Sequence, residues 1–211
     1  MRDPSASPPE AAGRAGAGGQ PEAAQDASLA ERQRALFAFL DAHAIAHHTV
    51  RHPPVFTVTD GEAIKAGLPG GHTKNLFLKD RAGQLWLICA IAETEIRLNH
   101  THRVIGAERL SFGRPDAMRE ALGVAPGSVT LFALVNDKAR AVRLALDQAL
   151  FAHEKVNFHP LSNDATTTIS RDGMIAFLRG LGRNPLVVNF QALAAGAPIA
   201  ASPLDAYLSH N

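Results

Sequence analysis

A lysine and an asparagine stand side by side in Gly70-Gly71-His72-Thr73-Lys74-Asn75-Leu76-Phe77-Leu78-Lys79-Asp80, at the head of a short apolar run. A glycine pair lets backbone come close to a ligand, and Lys74 supplies a point charge suited to a phosphate or carboxylate. An ammonium near a core is costly, so something anionic or strongly polar should meet it. The spacing is not that of a Gly-x-x-x-x-Gly-Lys-Ser/Thr phosphate loop. Taken alone, the same residues also describe a tight turn feeding a strand, with Lys74 merely solvated.

Two further stretches carry usable groups. In Asn157-Phe158-His159-Pro160-Leu161-Ser162-Asn163, His159 sits where an expected strand meets a proline, which ends ladder pairing and turns side chains outward. An imidazole there can hold an amino group or a hydroxyl, or simply cap loop carbonyls. In Pro126-Gly127-Ser128-Val129-Thr130-Leu131-Phe132, a glycine turn exposes backbone N–H groups of the kind that bind carbonyls or oxyanions. A plain connection reads the same way.

Other chemistries find little support. His43, His47, His48 and His52 cluster without a carboxylate or cysteine to complete a zinc set. No Gly-x-Ser-x-Gly elbow starts a Ser-His-Asp triad. Cys89 is the single cysteine, inside the apolar run 85–91, and reads as a buried inert thiol. It also excludes an intrachain disulfide, which suits a reducing compartment.

The elements that must position these groups follow from capping and periodicity. Ser28 with Glu31 reads as a capping box opening a helix to about His43, with Leu29, Leu36, Phe37 and Leu40 at helical spacing. Thr59 with Glu62 opens a shorter helix to Ala66. A hairpin is expected over 75–91 around Asp80 to Gly83. Pro115 to Leu122 is a third helix, closed by Gly123. Val129 to Val135, Val142 to Leu146, Val156 to Phe158 and Thr166 to Ile169 read as strands. Ser170 or Asp172 caps a helix that Gly182 ends, and Leu186 to Val188 is a last strand. The chain beyond about Ala192 reads as loosely held. His100 and His102 flank a helix start and read as surface residues.

Helices and strands alternate irregularly, which implies an α+β fold: one compact domain around a mixed, mostly antiparallel, partly closed sheet with flanking helices. The expected organisation is a disordered Ala/Gly/Pro-rich tail at 1–28, a domain at 29–190 and a C-terminal extension at 191–211. Of 211 residues, 46% are apolar, enough for a real core, and the formal net charge is +1. The tail holds −2, from Arg2 and Arg14 against Asp3, Glu10, Glu22 and Asp26, leaving +3 on the rest. That is compatible with touching a phosphate backbone locally, not with coating nucleic acid. No apolar stretch is long enough for a membrane span, and the amino terminus lacks a signal-peptide segment, so a cytoplasmic location is expected.

Read in order, His52-Pro53-Pro54-Val55-Phe56-Thr57-Val58, Gly71 to Asp80, Leu122-Gly123-Val124 with Pro126 to Thr130, Phe132-Ala133-Leu134-Val135-Asn136-Asp137, and Val156 to Leu161 resemble one family. It is that of the YbaK-like aminoacyl-tRNA deacylases, related to the editing insertion of bacterial prolyl-tRNA synthetase. The similarity covers nearly all of 29–190 and is nearest the free-standing branch that removes alanine from proline tRNA.

The resemblance implies a trans-editing hydrolase that cleaves the ester of Ala-tRNA(Pro), with no metal and no organic cofactor. The family's lysine and asparagine fall on Lys74 and Asn75, its pocket histidine on His159, and its backbone loop on Gly127. Ser128, Phe56, Leu76, Phe158 and Asn163 are the expected substrate-binding residues. The implied partners are the tRNA(Pro) acceptor end and prolyl-tRNA synthetase. Leu131 stands where the family's Gly-x-x-x-Pro loop has proline, a change that bears on loop rigidity and pocket size. Two alternatives remain: a deacylase for cysteine or another small residue on tRNA, and a non-catalytic module that binds aminoacyl-tRNA or an amino acid.

Overall fold

A computed structural model describes residues 19–54 and 67–210, with side chains from Ser28 onward. Its frame is a nine-stranded sheet with five antiparallel and three parallel pairings. The strands are β1 (His47–Arg51), β2 (Gly71–Asp80), β3 (Leu85–Ile91), β4 (Leu110–Phe112), β5 (Val142–Asp147), β6 (Lys155–Phe158), β7 (Ala165–Ser170), β8 (Leu186–Val188) and β9 (Ser202–Pro203). They lie in the order β1-β7-β6-β2-β3-β5-β8-β9, with β4 beside β2. The helices are α1 (Gly19–Ala42), α2 (Leu98–Val104), α3 (Pro115–Leu122), α4 (Arg171–Gly180), α5 (Phe190–Ala194) and α6 (Leu204–His210). Short 3-10 helices cover Leu131–Val135 and Gln148–Ala152.

Strand alternation gives the sheet two buried faces. Phe77, Leu87 and Cys89 point into the larger core, covered by Leu36 and Leu40 of α1, Leu122 of α3 and Phe177 of α4. Leu78, Trp86 and Ile88 point into a smaller core, covered by Phe190 of α5 and by Leu98 and Val104 of α2. The β2–β3 hairpin turns as expected: Gly83 adopts φ +94° and donates to the Asp80 carbonyl at 3.0 Å. Asp80 is buried because it is used. Its carboxylate accepts from the Gln84 N–H at 2.9 Å and from Trp86 Nε1 at 3.2 Å.

Several expectations need correction. α1 starts at Gly19, so Ser28 is an internal helix residue and not an N-cap; its hydroxyl accepts from Arg32 instead. Pro21 lies in the first turn, where its missing N–H is not needed, and Ala23 and Ala24 are strong helix formers. Residues 129–135 are not a strand. Thr130 caps Phe132 and the five residues Leu131–Val135 are all buried in a 3-10 helix. A continuous apolar run has no period to tell strand from helix. The chain beyond Ala192 is packed: Asn189 caps α5 through the Ala192 N–H at 2.9 Å, and Leu193 and Leu204 are buried. The helix expected from Thr59 to Ala66 lies outside the described residues.

Candidate active site

The site is a break in the sheet. β2 pairs with β3 along most of its length, from Thr73 to Lys79. On its other edge it has two partial neighbours. β6 is registered against Gly71 and His72, and β4 against Leu78, Lys79 and Asp80. Between them, residues 74–76 face a gap. Odd-numbered residues of β2 aim their backbone at that edge, since Gly113 donates to the Phe77 carbonyl at 2.9 Å and Ser111 to the Lys79 carbonyl at 3.2 Å. The Asn75 peptide groups therefore point into the gap.

Sequence-distant residues gather around it. His72 pairs with Asn157, the last registered pair of β2 and β6, and Lys74 and His159 each follow two residues later, so both leave the ladder at the same end of the gap. Lys74 is half-buried and has no carboxylate partner among the described residues. Asn75 projects to the other face with Phe77 and with its register partner Cys89. Its side-chain oxygen is buried and unpartnered among the described residues. Such a group has a strong demand for a donor.

The glycine pair approaches the protein itself, not a ligand. A Cβ on Gly70 would lie 2.5 Å from the Lys155 carbonyl oxygen, and one on Gly71 would lie 2.8 Å from the His153 ring. These glycines allow β2 to seat against β6.

His159 leads a braced loop. Gln33 of α1 donates to the Pro160 carbonyl at 2.8 Å and to the Ser162 hydroxyl at 2.9 Å, and Ser162 in turn bonds Asp164. Leu161 is buried at φ +69°, a conformation that costs a non-glycine residue and needs such bracing. Burial pushes the His159 imidazole below its ordinary range. Proximity to His52 pushes it further down, and the Asp164 carboxylate opposes both. His52 is itself held, with Nδ1 2.9 Å from the Pro53 carbonyl and Nε2 2.9 Å from the Thr166 hydroxyl.

The Gly127 loop meets that loop. Gly127 adopts φ +87°, and a Cβ there would touch Asn163 Nδ2 at 4.0 Å. Ser128 is buried and its N–H donates to Ala125 at 3.0 Å, which leaves those of Gly127 and Val129 as the loop's donors. Leu131 is fully buried in the larger core, so apolar anchorage holds the loop here where the family has a proline.

Leu76 and Phe158 border the gap from opposite faces. Leu76 packs toward the smaller core, while Phe158 is buried in the larger one with its ring 5.1 Å from Phe132. Phe56 lies outside the described residues. Cys89 is remote from chemistry, because burial, and then the Asp147 charge, push its thiol far up and keep it protonated. Among the described residues no cluster of histidine, cysteine and carboxylate could hold a metal, and no helix is long and apolar enough to cross a membrane. His52, Asp164 and Gln33 were not singled out as site residues from the sequence. The only signal was His52 at the head of the Pro53-Pro54 motif.

Comparison with known proteins identifies the family. Residues 52–177 match the profile of the aminoacyl-tRNA editing domain. The chain is 38% identical over 166 residues to the prolyl-tRNA synthetase associated domain-containing protein 1 of Bos taurus, covering 76% of this chain and 96% of that one. It is 30% identical over 153 residues to the prolyl-tRNA editing protein ProX of Acetoanaerobium sticklandii, covering 72% and 93%. A crystal structure assigned as a candidate trans-editing enzyme for prolyl tRNA synthetase shares the fold at TM-score 0.58 and 19% identity, over 75% of this chain and 95% of that one. Matched by the family profile over more than half its length, the chain belongs to the aminoacyl-tRNA editing domain family and is an aminoacyl-tRNA deacylase.

Proposed function

We propose that the sheet gap hydrolyses the ester of alanine wrongly attached to tRNA(Pro), acting in trans on the free acceptor end. The observation that carries this reading is Lys74, a half-buried ammonium without a carboxylate partner among the described residues, two residues past the last registered pair of β2 and β6, as His159 is on the other chain segment. An aminoacyl ester is already activated, so the site has chiefly to place carbonyl, water and terminal ribose. Lys74 holds the terminal phosphate or polarises the ester. The N–H groups by Gly127 accept the developing oxyanion. His159, neutral near pH 7 because its proton affinity is depressed, holds the amino group or a ribose hydroxyl, with the Asn75 peptide groups and Asn163 as further polar contacts.

No strong general base faces the gap among these residues, so a hydroxyl of the terminal ribose helps activate the water. A tRNA ending in a ribose without that hydroxyl should be cleaved far more slowly, and equal rates would remove this step. Discrimination is by size. A methylene or two is worth only about 1–3 kcal/mol by attraction, so steric exclusion of proline does most of the sorting. The names of the relatives support tRNA(Pro) and prolyl-tRNA synthetase as partners; a cytoplasmic location is part of the same proposal. Deacylation of alanyl-, cysteinyl- and prolyl-tRNA(Pro) by the purified chain tests the reading. Alanine should be released fastest and proline spared. Faster release of cysteine would change the substrate, and binding without release would make the chain a carrier.

A further inference from the structure

Phe112 is the one large apolar side chain that stands exposed among the described residues, at 69%. It ends β4, the strand that closes the far side of the gap. Its register partner is Leu78, and cross-strand partners project to the same face. Counting back along β2 by twos, that is also the face of Leu76 and Lys74. Four strand residues span roughly 13 Å, a few nucleotides at the ~3.4 Å stacked rise of a nucleic-acid strand. Phe112 thus stands exposed at the gap end of β4, on the far rim from Lys74, although Leu78 between them is buried.

The backbone beside the ring is fixed from behind. Gly113 donates to the Phe77 carbonyl at 2.9 Å, and a Cβ on Gly113 would meet the Phe77 ring at 2.4 Å. The surroundings are basic. Residues 97–114, comprising α2 and β4, carry Arg97, Arg103, Arg109 and Arg114 against Glu108 alone, a net of +3 in a chain whose total is +1. Arg97 and Arg114 have carboxylate neighbours in Glu95 and Asp116. Arg103 and Arg109 are exposed and have none among the described residues. α2 packs on this same face through Leu98 and Val104. An exposed aromatic ring with exposed, unpaired arginines within ten residues of it in sequence has the composition of a surface that stacks unpaired bases and tracks their phosphates.

We infer that Phe112 is a stacking platform for a base of the unpaired 3′ end of the tRNA, one to a few nucleotides before the terminal adenosine held at Lys74. The inference rests on the proposed site and deepens it. A protein partner seated on the ring would need a wider apolar patch, and Ser111 and Arg114 flank it with polar surface.

The test is binding of an uncharged RNA hairpin that carries the tRNA(Pro) acceptor stem with its unpaired 3′ nucleotides, labelled at the 5′ end. Wild type, Phe112→Ala and Phe112→Tyr are titrated, each also with a hairpin trimmed of those nucleotides. Phe112→Ala should bind the full hairpin roughly 5- to 160-fold more weakly, the range for one base stacked on an aromatic ring. Phe112→Tyr should stay within about twofold, and the trimmed hairpin should show no difference among the three. Equal binding by Phe112→Ala, or a defect that persists on the trimmed hairpin, overturns the inference. Because the readout is binding, a chain that needs Phe112 here yet releases no amino acid would refute only the hydrolysis, and normal deacylation with Phe112 dispensable would refute only the platform.

Discussion

The Thr73 hydroxyl donates to the Asn157 carbonyl at 2.7 Å, a bond from β2 to β6 one residue past their last registered pair, His72 with Asn157. A side chain completes what the ladder leaves off. This bond fixes where the gap opens, and with it the separation of the two groups that line its mouth. Asn157 is fixed in turn, donating to the Pro69 carbonyl at 3.2 Å and accepting from the Thr168 hydroxyl at 2.5 Å. Replacing Thr73 by valine keeps shape and removes the bond, which should cost about 1 kcal/mol in denaturant unfolding. The larger effect is expected in kcat, since displaced groups lose alignment in the transition state. Unchanged kcat would mean that the gap is held by the ladder alone.

Lys74→Ala separates catalysis from folding. The side chain sits at the gap and not within either core, so stability should move by no more than about 0.5 kcal/mol. Deacylation should fall about 10²- to 10³-fold, as when one positioned electrostatic donor is deleted. Lys74→Arg keeps the charge but changes its shape and reach, and should recover only part of the rate. A Lys74→Ala protein with full activity would remove the gap as the site.

The pH dependence follows from His159. Burial first, and His52 second, hold its proton affinity below the ordinary value of about 6.5, against the pull of Asp164. The folded state therefore disfavours the imidazolium. Its contribution to stability is intact above about pH 6.5 and is lost as pH falls from there toward the depressed folded value. The acid limb of kcat should accordingly lie below that of an unperturbed imidazole. His52→Asn should raise the His159 midpoint in an NMR titration of the ring, and Asp164→Asn should lower it further. Shifts of the opposite sign would show that the three groups do not share one field.

Gly127 is the position where backbone conformation decides. Alanine at φ +87° would be strained by about 1–2 kcal/mol whatever the space around it. The space is not the obstacle, because the nearest side-chain atom to an added Cβ is Asn163 Nδ2 at 4.0 Å. Gly127→Ala should thus relieve strain by turning the peptide, and so misdirect the N–H groups assigned to the oxyanion. A loss of kcat greater than the loss of stability, read by parallel kinetics and thermal melting, is the expected outcome.

The residue types proposed for the site were legible in the sequence, and the strand pairing around them was not. Pro115 and Gly123 bracket α3 as expected because each imposes a backbone angle locally. Ser170 capping the Gly173 N–H at 2.9 Å was legible for the same reason. Val129 to Val135 was misread because an unbroken apolar run fits a 3-10 helix as well as a strand, and Thr130 decides between them. The gap itself depends on β6 leaving β2 after His72 and β4 joining at Leu78, a pairing between segments about 85 and 30 residues away. No local pattern encodes that. Likewise His52 and Asp164 reach His159 only through the β1–β7 pairing and the loop after β6.

A last prediction concerns what holds the far end of the sheet and leaves the site alone. Arg183 and Asp137 form an ion pair at 2.8 Å, with side chains only 11% and 2% exposed. Asp137 also accepts the N–H groups of Ala141 and Val142 at 2.9 Å each, and Arg183 donates to the Val142 carbonyl at 3.1 Å. The pair thus closes the start of β5, four or more residues along the sheet from Lys74's neighbour Ala90. Asp137→Ala would leave the guanidinium with backbone carbonyls but no counter-charge, and two backbone donors unpaired, a loss of about 3–5 kcal/mol. Since neither residue borders the gap, kcat and KM measured well below the lowered melting temperature should match wild type. A kinetic defect in a still-folded Asp137→Ala protein would instead reveal that strain at β5 is transmitted through β3 to the gap.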